Sequence, residues 1–307
     1  MSLLLVVDGD SFAHRAYHAL PKSIKLNAVV GFTNMLVRLW QAEQPDAVVV
    51  AWDTLSVPTY RHDAFEAYQS GRVFEDSILE QLEILPEVVA AFGFLVAKAP
   101  GYEADDFLAA AAGEWPGEVL VATSDRDAFQ LVSDRVTILQ PARGVSELAR
   151  IGPAEVRERY GVEPEQVPDL IALRGDPSDK LPGARGIGPK KAAELLAQYG
   201  TLEAALADGR FAAEAEDLRL FRRIATMDAS APLPPSQKHP RCGRRRLLSS
   251  NSSGSAPSPD GWRRYRRPDA SRPGAATPDR QPSRAARATR RASRTPARLE
   301  RGPRGDR

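Results

Sequence analysis

Acidic residues stand at the ends of apolar runs through the first two-thirds of this 307-residue chain. The run Leu3-Leu4-Leu5-Val6-Val7 leads into Asp8, the run 47–52 into Asp53, and the run 119–124 into Asp125, with Asp127 two residues on. Glu103, Asp105 and Asp106 open a helical pattern behind the apolar run 94–99, and Asp176 and Asp179 follow. Short apolar runs that alternate with helical segments predict a parallel α/β sheet. Ligands of such sheets bind outside the carboxyl ends of the strands, so acids distant in sequence converge on one edge. Like charges gathered there repel unless a cation lies among them. Oxygen donors with no neighbouring His or Cys point to Mg²⁺ or Mn²⁺.

Taken singly, Asp8 or Asp53 reads as a helix cap or a solvated loop carboxylate, and Asp10 as a cap for a helix starting at Ser11. Asp125 with Asp127, beside Glu103-Ala104-Asp105-Asp106, reads differently. Their spacing puts several oxygens within reach of one site, as two-metal phosphodiester hydrolysis requires. His14, His18 and His62 suggest no triad, and no serine-nucleophile motif is present.

A second motif is Gly183-Ala184-Arg185-Gly186-Ile187-Gly188-Pro189-Lys190-Lys191. Glycines bracketing an apolar residue before a helix are a helix–hairpin–helix signature. Gly183, Gly186 and Gly188 allow tight backbone geometry, and the helix start can meet a phosphate beside Lys190 and Lys191. The competing reading is an ordinary glycine-rich turn. Tyr60, Arg61, Tyr68 and Arg72 mix aromatics with cations, a composition suited to stacking bases and holding phosphates. A surface helix with two packed aromatics would show the same residues.

Strands are expected at 3–8, 47–53, 94–99, 119–125 and 136–140. Helices are expected at 11–20, 28–43, 76–92, 103–115, 153–160, 164–174, 189–199 and 201–206. The first half is thus α/β, with a mostly parallel central sheet flanked by helices. The second half is helical, and a soft boundary falls near 143–152. The expected division is an α/β domain over 1–147, a helical subdomain over 148–228 and a tail over 229–307.

The net charge of +2 hides a split. Residues 1–228 hold 22 Lys and Arg against 35 Asp and Glu, a net of −13, and residues 229–307 hold 20 against 5, a net of +15. The tail has no Ile, Val or Phe and is rich in Arg, Pro and Ser. It is expected to be disordered and is basic enough to bind nucleic acid non-specifically. The abrupt change near Ser236 is also the bias that a shifted reading frame gives in a GC-rich gene. The single cysteine, Cys242, permits no internal disulfide, and the sequence shows neither a signal peptide nor a membrane span. These features predict a cytoplasmic protein.

From about Leu3 to Asp228 the motifs resemble, in order, the 5′–3′ exonuclease and flap endonuclease family, which includes the N-terminal domain of bacterial DNA polymerase I. Asp8-Gly9-Asp10-Ser11-Phe12 with Arg15-Ala16-Tyr17-His18-Ala19-Leu20-Pro21 is similar to its opening motif, and Asp53 to its second. The segments 103–106, 123–127 and 173–183 match the rest. The resemblance implies a PIN-like or resolvase-like fold and a divalent-metal phosphodiesterase acting on branched, nicked or 5′-flapped DNA, RNA–DNA primer junctions included. It implies that Asp8, Asp53, Glu103, Asp105, Asp106, Asp125, Asp127, Asp176 and Asp179 hold two metal ions. It implies that Arg15, Arg61 and Arg72 serve catalysis, and that residues 59–85 form an arch over the 5′ strand, with Tyr60, Tyr68 and Gln69 at the DNA. It further implies that the helix–hairpin–helix grips the duplex and holds a K⁺ ion. The family's arch pattern Tyr-Lys-x-x-Arg stands here as Tyr68-Gln69-Ser70-Gly71-Arg72, so a charge is missing at Gln69. The link 22–28 is short for the family. With no polymerase domain following, the expectation is a free-standing monomeric enzyme, sensitive to salt.

Two rival readings stand beside it. Asp8-Gly9-Asp10-Ser11 after a strand resembles the nucleophile motif of haloacid-dehalogenase-type phosphatases, with Asp8 as nucleophile and Asp10 as acid. The lost lysine and the short link would also suit a structure-specific DNA-binding protein that has lost catalysis.

Overall fold

The computed structural model describes residues 2–143 and 147–234. Most of the expected disordered tail, with Cys242, lies outside them. Strand β1 (Leu3–Asp8) is the centre of a six-stranded sheet with β2 (Ala47–Ala51), β3 (Leu95–Ala97), β4 (Glu118–Ala122), β5 (Val136–Arg143) and β6 (Glu147–Ile151). The order is β3-β2-β1-β4-β5-β6. The first five strands pair in parallel, and β6 runs antiparallel to β5. The mixed α/β sheet with flanking helices is therefore as the apolar runs predict.

Parallel strands covered on both faces need continuous apolar runs. In β1, Leu4 and Val6 enter one core, and Leu5 and Val7 the other. Helices α1 (Gly9–Ala19), α2 (Asn27–Glu43) and α4 (Asp76–Ala91) bury Phe12, Phe32, Leu36 and Leu85 on the second face. On the first face α5 (Ala104–Glu114) contributes Phe107 and Leu108. That core continues into α6 (Pro153–Tyr160), α7 (Val167–Arg174), α8 (Pro189–Tyr199), α9 (Leu202–Ala207) and α10 (Ala215–Ala225). A short helix, α3 (Tyr60–Ala64), follows β2.

Besides α3, two further elements go beyond the sequence expectation. β6 is a five-residue edge strand, ELARI, whose alternation is too short to stand out. α10 places Leu218, Phe221, Ile224 and Ala225 on one buried face, with Glu216, Asp217, Arg219, Arg222 and Arg223 interleaved along the sequence. It packs against α7, and its Arg222 pairs with the buried Asp169. The expected strand at 94–99 shortens to Leu95–Ala97, and the expected helix 164–174 divides into a 3₁₀ turn, Pro164–Gln166, and α7. No helix among the described residues is long and apolar enough to cross a membrane.

The chain winds from β1 outward to β2 and β3, then returns to the other side of β1 for β4 and β5. This reversal places the ends of β1, β2 and β4 around one crevice, the usual ligand position in such sheets.

Candidate active site

Nine carboxylates line one cavity of about 330 Å³ at that crevice: Asp8, Asp10, Asp53, Glu103, Asp105, Asp125, Asp127, Asp176 and Asp179. Backbone geometry fixes several of them. Asp8 ends β1 and caps α1, accepting from the Ser11 N–H at 2.9 Å, while the Thr123 hydroxyl donates to its other oxygen at 2.7 Å. The cap is thus Asp8 and not Asp10. Asp10 turns inward and accepts from the Asp53 N–H at 2.7 Å. Asp53 in turn accepts from the N–H of Ala104, the first residue of α5, at 2.7 Å. Glu103 accepts from the Thr59 hydroxyl at 2.9 Å and the Tyr68 hydroxyl at 3.0 Å. Asp125 accepts from the Asp127 N–H at 2.8 Å, and Asp176 from the Ser178 N–H at 2.7 Å.

Burial and mutual repulsion disfavour the charged forms. Burial, opposed by the bonds from Thr123 and Ser11, pushes Asp8 up to about 7. Burial likewise raises Asp53 and Asp179 to about 6, and it lifts Asp10, Asp105 and Asp127 well above the usual carboxylate range. The repulsions fall into two groups that share Asp125. Asp105 feels Asp125, Asp8 and Asp53, whereas Asp127 feels Asp125, Asp176 and Asp179.

Among the described residues no three acids already converge on a single ion position. The carboxylates line a cavity wall and do not form a closed cage. The donor set nevertheless fits hard dications, above all Mg²⁺, which retains several waters and takes only one or two carboxylates directly. A dication would also relieve the repulsion. Asp105 has no hydrogen bond to the described protein, so Asp105→Asn removes charge and little else. Its raised value means that the ionised form costs stability, a penalty absent below about pH 4 and growing as the pH rises. The metal-free variant should therefore unfold at a higher temperature than the parent at pH 8 and at the same temperature near pH 4. Calorimetry at the two values checks this, and an equal effect at both would contradict it.

Segment 69–74 crosses the mouth of the cavity, where Gln69, Arg72 and Phe74 line it together with His14. The Gln69 amide donates to Asp179 at 3.1 Å, and the Arg72 guanidinium lies 3.5 Å from the same carboxylate. The Phe74 and His14 rings are 5.1 Å apart.

Several expected site residues stand elsewhere. Asp106 is fully buried and holds Arg61 in a two-pronged pair at 2.9 and 2.7 Å, while also accepting from the N–H groups of Glu103 and Asp228. It does not line the cavity. Arg61 is 3% exposed and donates its Nε–H to the Ile224 carbonyl at 3.0 Å, so it ties α3 to α5 and α10 and does not face a phosphate. Tyr60 donates to the Thr226 carbonyl and lines a separate open hollow of about 700 Å³ with Tyr102 and Arg223, which shares no lining residue with the acid cavity. Tyr68 lines the cavity, but at 3% exposure it offers no free ring face for a base. Arg15 lies one turn beyond Ser11 on α1, half-buried and off the cavity wall. Thr123, Ser11, His14 and Phe74 are site residues that the sequence pattern did not single out.

The glycine-rich turn separates two roles. Gly183, at φ 72°, is required by packing, since a Cβ would stand 2.3 Å from the Gly175 nitrogen. Gly186, at φ 75°, and Gly188 face open space. Gly188 caps α8 with no side chain of its own, Lys190 is 92% exposed, and the Lys191 ammonium donates to the Gly186 carbonyl at 3.3 Å. The result is a bare helix start with two cations.

Comparison with known proteins agrees with this geometry. Residues 3–161 match the family model of the 5′–3′ exonuclease N-terminal resolvase-like domain, and residues 162–244 match that of the 5′–3′ exonuclease C-terminal SAM fold. DNA polymerase I of Mycobacterium tuberculosis is 46% identical over 210 residues, covering 65% of this chain and 23% of the polymerase. The thermostable DNA polymerase I of Thermus thermophilus is 39% identical over 249 residues, covering 75% of this chain and 29% of the polymerase. The chain thus spans about a quarter of the length of these relatives. The fold is shared with the bacteriophage T5 D15 flap endonuclease solved with DNA and metal ions, at TM-score 0.62 and 20% identity over 74% of this chain and 89% of that one. The Asp8 and Asp10 side chains, engaged by Ser11, Thr123 and Asp53, give the haloacid-dehalogenase-type reading no support. This chain, with its acid crevice and its bare helix start, belongs to the 5′–3′ exonuclease family.

Proposed function

We propose that this protein hydrolyses DNA phosphodiesters at 5′ ends and near the base of 5′ flaps, using two Mg²⁺ or Mn²⁺ ions held in the acid cavity. The observation that carries this reading is the set of nine carboxylates on one cavity wall, with repulsions in two groups that share Asp125. Asp8, Asp53 and Asp105 would hold one ion, and Asp127, Asp176 and Asp179 the other, with Asp125 between them and Glu103 acting through water. Bound dications make water more acidic and neutralise charge at the phosphodiester. The protein's own groups orient the acids: Thr123 and Ser11 hold Asp8, and Tyr68 and Thr59 hold Glu103. Arg72, half-exposed at the mouth, supplies positive charge to an entering phosphate. Gln69 beside it supplies a hydrogen bond without a charge.

Division of labour follows the chain. The domain over 1–147 cuts, with segment 59–85 bordering the 5′ strand, and the subdomain over 148–228 grips the duplex at Gly186, Gly188, Lys190 and Lys191. A K⁺ ion at the 183–188 turn, action on RNA–DNA primer junctions, a monomer on DNA and a cytoplasmic location belong to the same reading. The test is a nicked and a flapped duplex labelled at either end of the cut strand. Products released from the 5′ end support the proposal, and products released from the 3′ end refute it.

Gly188→Val separates grip from fold. A side chain there meets nothing in the protein and its φ of −99° is ordinary, so the fold should survive at a cost of about 1 kcal/mol for the poorer helix cap. Crowding the helix start should weaken duplex binding about tenfold, an amount equal to one charge-assisted contact. Fluorescence anisotropy with calcium in place of magnesium measures this. Unchanged binding would return the motif to an ordinary turn.

A further inference from the structure

The acid cluster opens on a second side. A groove of about 410 Å³ runs from Asp8 and Asp125 past Ser11, Ser124 and Ser178 to Arg126 and Arg174. Arg174 ends α7, directly before the loop to α8. Its guanidinium lies over the Tyr160 ring, 5.4 Å from the centroid, and its side chain is 18% exposed. The nearest carboxylate oxygens, of Asp176 at 3.8 Å and Asp127 at 4.0 Å, are beyond hydrogen-bonding distance. Arg61 is the contrast, a buried guanidinium engaged by Asp106 and the Ile224 carbonyl. Beside Arg174 the Ser124 hydroxyl is buried and has no hydrogen-bond partner. Neighbouring Ser11 already uses its hydroxyl oxygen to accept the Ser124 N–H at 3.0 Å. A buried hydroxyl donor and a planar guanidinium with N–H groups to spare make an oxyanion site, and guanidinium geometry matches a phosphate.

We propose that Arg174 and Ser124, aided by Arg126, hold a backbone phosphate of the cut strand on the duplex side of the scissile bond. The side follows from the chain path. Arg174 leads through the 183–188 turn into α8, whereas Gln69, Arg72 and Phe74 border the other opening. The assignment rests on the nuclease reading above.

The test is single-turnover cleavage of flapped duplexes that carry one uncharged methylphosphonate at each of the three phosphates on the duplex side of the cut. In the parent, one of these replacements should slow cleavage about tenfold, the scale of a charge-assisted hydrogen bond. Arg174→Gln should slow cleavage of the ordinary substrate by the same factor, and the sensitive methylphosphonate should then add nothing. Arg174→Lys should recover part of the rate. If Arg174 only balances the acids or supports the fold, the two penalties multiply, and that result overturns the assignment while leaving the nuclease reading intact. A parent that cleaves none of the substrates overturns both. Should Arg174→Gln unfold, Ser124→Ala removes only a hydroxyl and carries the same cycle.

Discussion

Arg61→Ala should unfold the protein before it slows any reaction, with a loss of about 3–5 kcal/mol. The reason is Asp106. Its carboxylate is fully buried, and Arg61 neutralises it through two short bonds. Removing the guanidinium strands a charge in the core and frees the Ile224 carbonyl and the Glu103 carboxylate, which lies 3.6 Å from Arg61. Such a loss is a large part of the roughly 5–15 kcal/mol that holds a domain together. Replacing both partners, as in Arg61→Met with Asp106→Leu, should restore much of it, because an apolar pair leaves no charge unpaired. Urea unfolding of the parent, the single variant and the double variant measures all three. A single variant that keeps parental stability but loses cleavage would return Arg61 to the catalytic set.

The second large effect concerns Asp125 and Asp127. Asp125→Asn with Asp127→Asn should lower cleavage at least 100-fold, roughly the scale on which even the outer partners of bound metals matter. Asp125 stands in both repelling groups, and Asp127 anchors one of them. The substitution keeps a carbonyl at each position, so the bond from the Asp127 N–H survives. Both carboxyl groups are raised by burial, so losing their charges should not weaken the metal-free fold at pH 8. Binding of a flapped duplex in EDTA should be equal or tighter, since two negative charges near a polyanion are gone. Lost cleavage with retained stability and binding separates a catalytic role from a structural one. Cleavage within tenfold of the parent would remove both acids from the site.

What was legible in the sequence follows from the range of the interactions. Acids at strand ends were readable because a parallel sheet brings its carboxyl ends together whatever separates them along the chain. That logic places Asp8, Asp53 and Asp125 at the crevice without any side-chain detail. It could not divide Asp105 from Asp106. These neighbours in the first turn of α5 point to different places, and only the arrival of Arg61 from 45 residues away decides which one is buried in a pair. Arg61 and Tyr68 looked like exposed cation and aromatic groups for the same reason, because their partners Asp106 and Glu103 are distant in sequence. The cap falls on Asp8 and not Asp10 because it is set by the residue where the strand ends, here two residues before the expected cap. The buried face of α10 was present in the spacing of Leu218, Phe221 and Ile224, but the dense charge around it resembled a solvated segment. Gly183 and Gly188 look alike in a motif, and only backbone packing shows that one serves the fold while the other faces open space.

The central claim is that the acid cavity is a metal-dependent nuclease centre, and one measurement tests it most directly. A flapped duplex with a 5′ label is incubated with the full chain and rising Mg²⁺, beside a sample held in EDTA. The account predicts a labelled fragment cut near the flap junction that appears with Mg²⁺ and is absent in EDTA. Uncut flap at every Mg²⁺ concentration, with the protein folded and bound to it, would contradict the account and leave a structure-specific DNA-binding protein in its place.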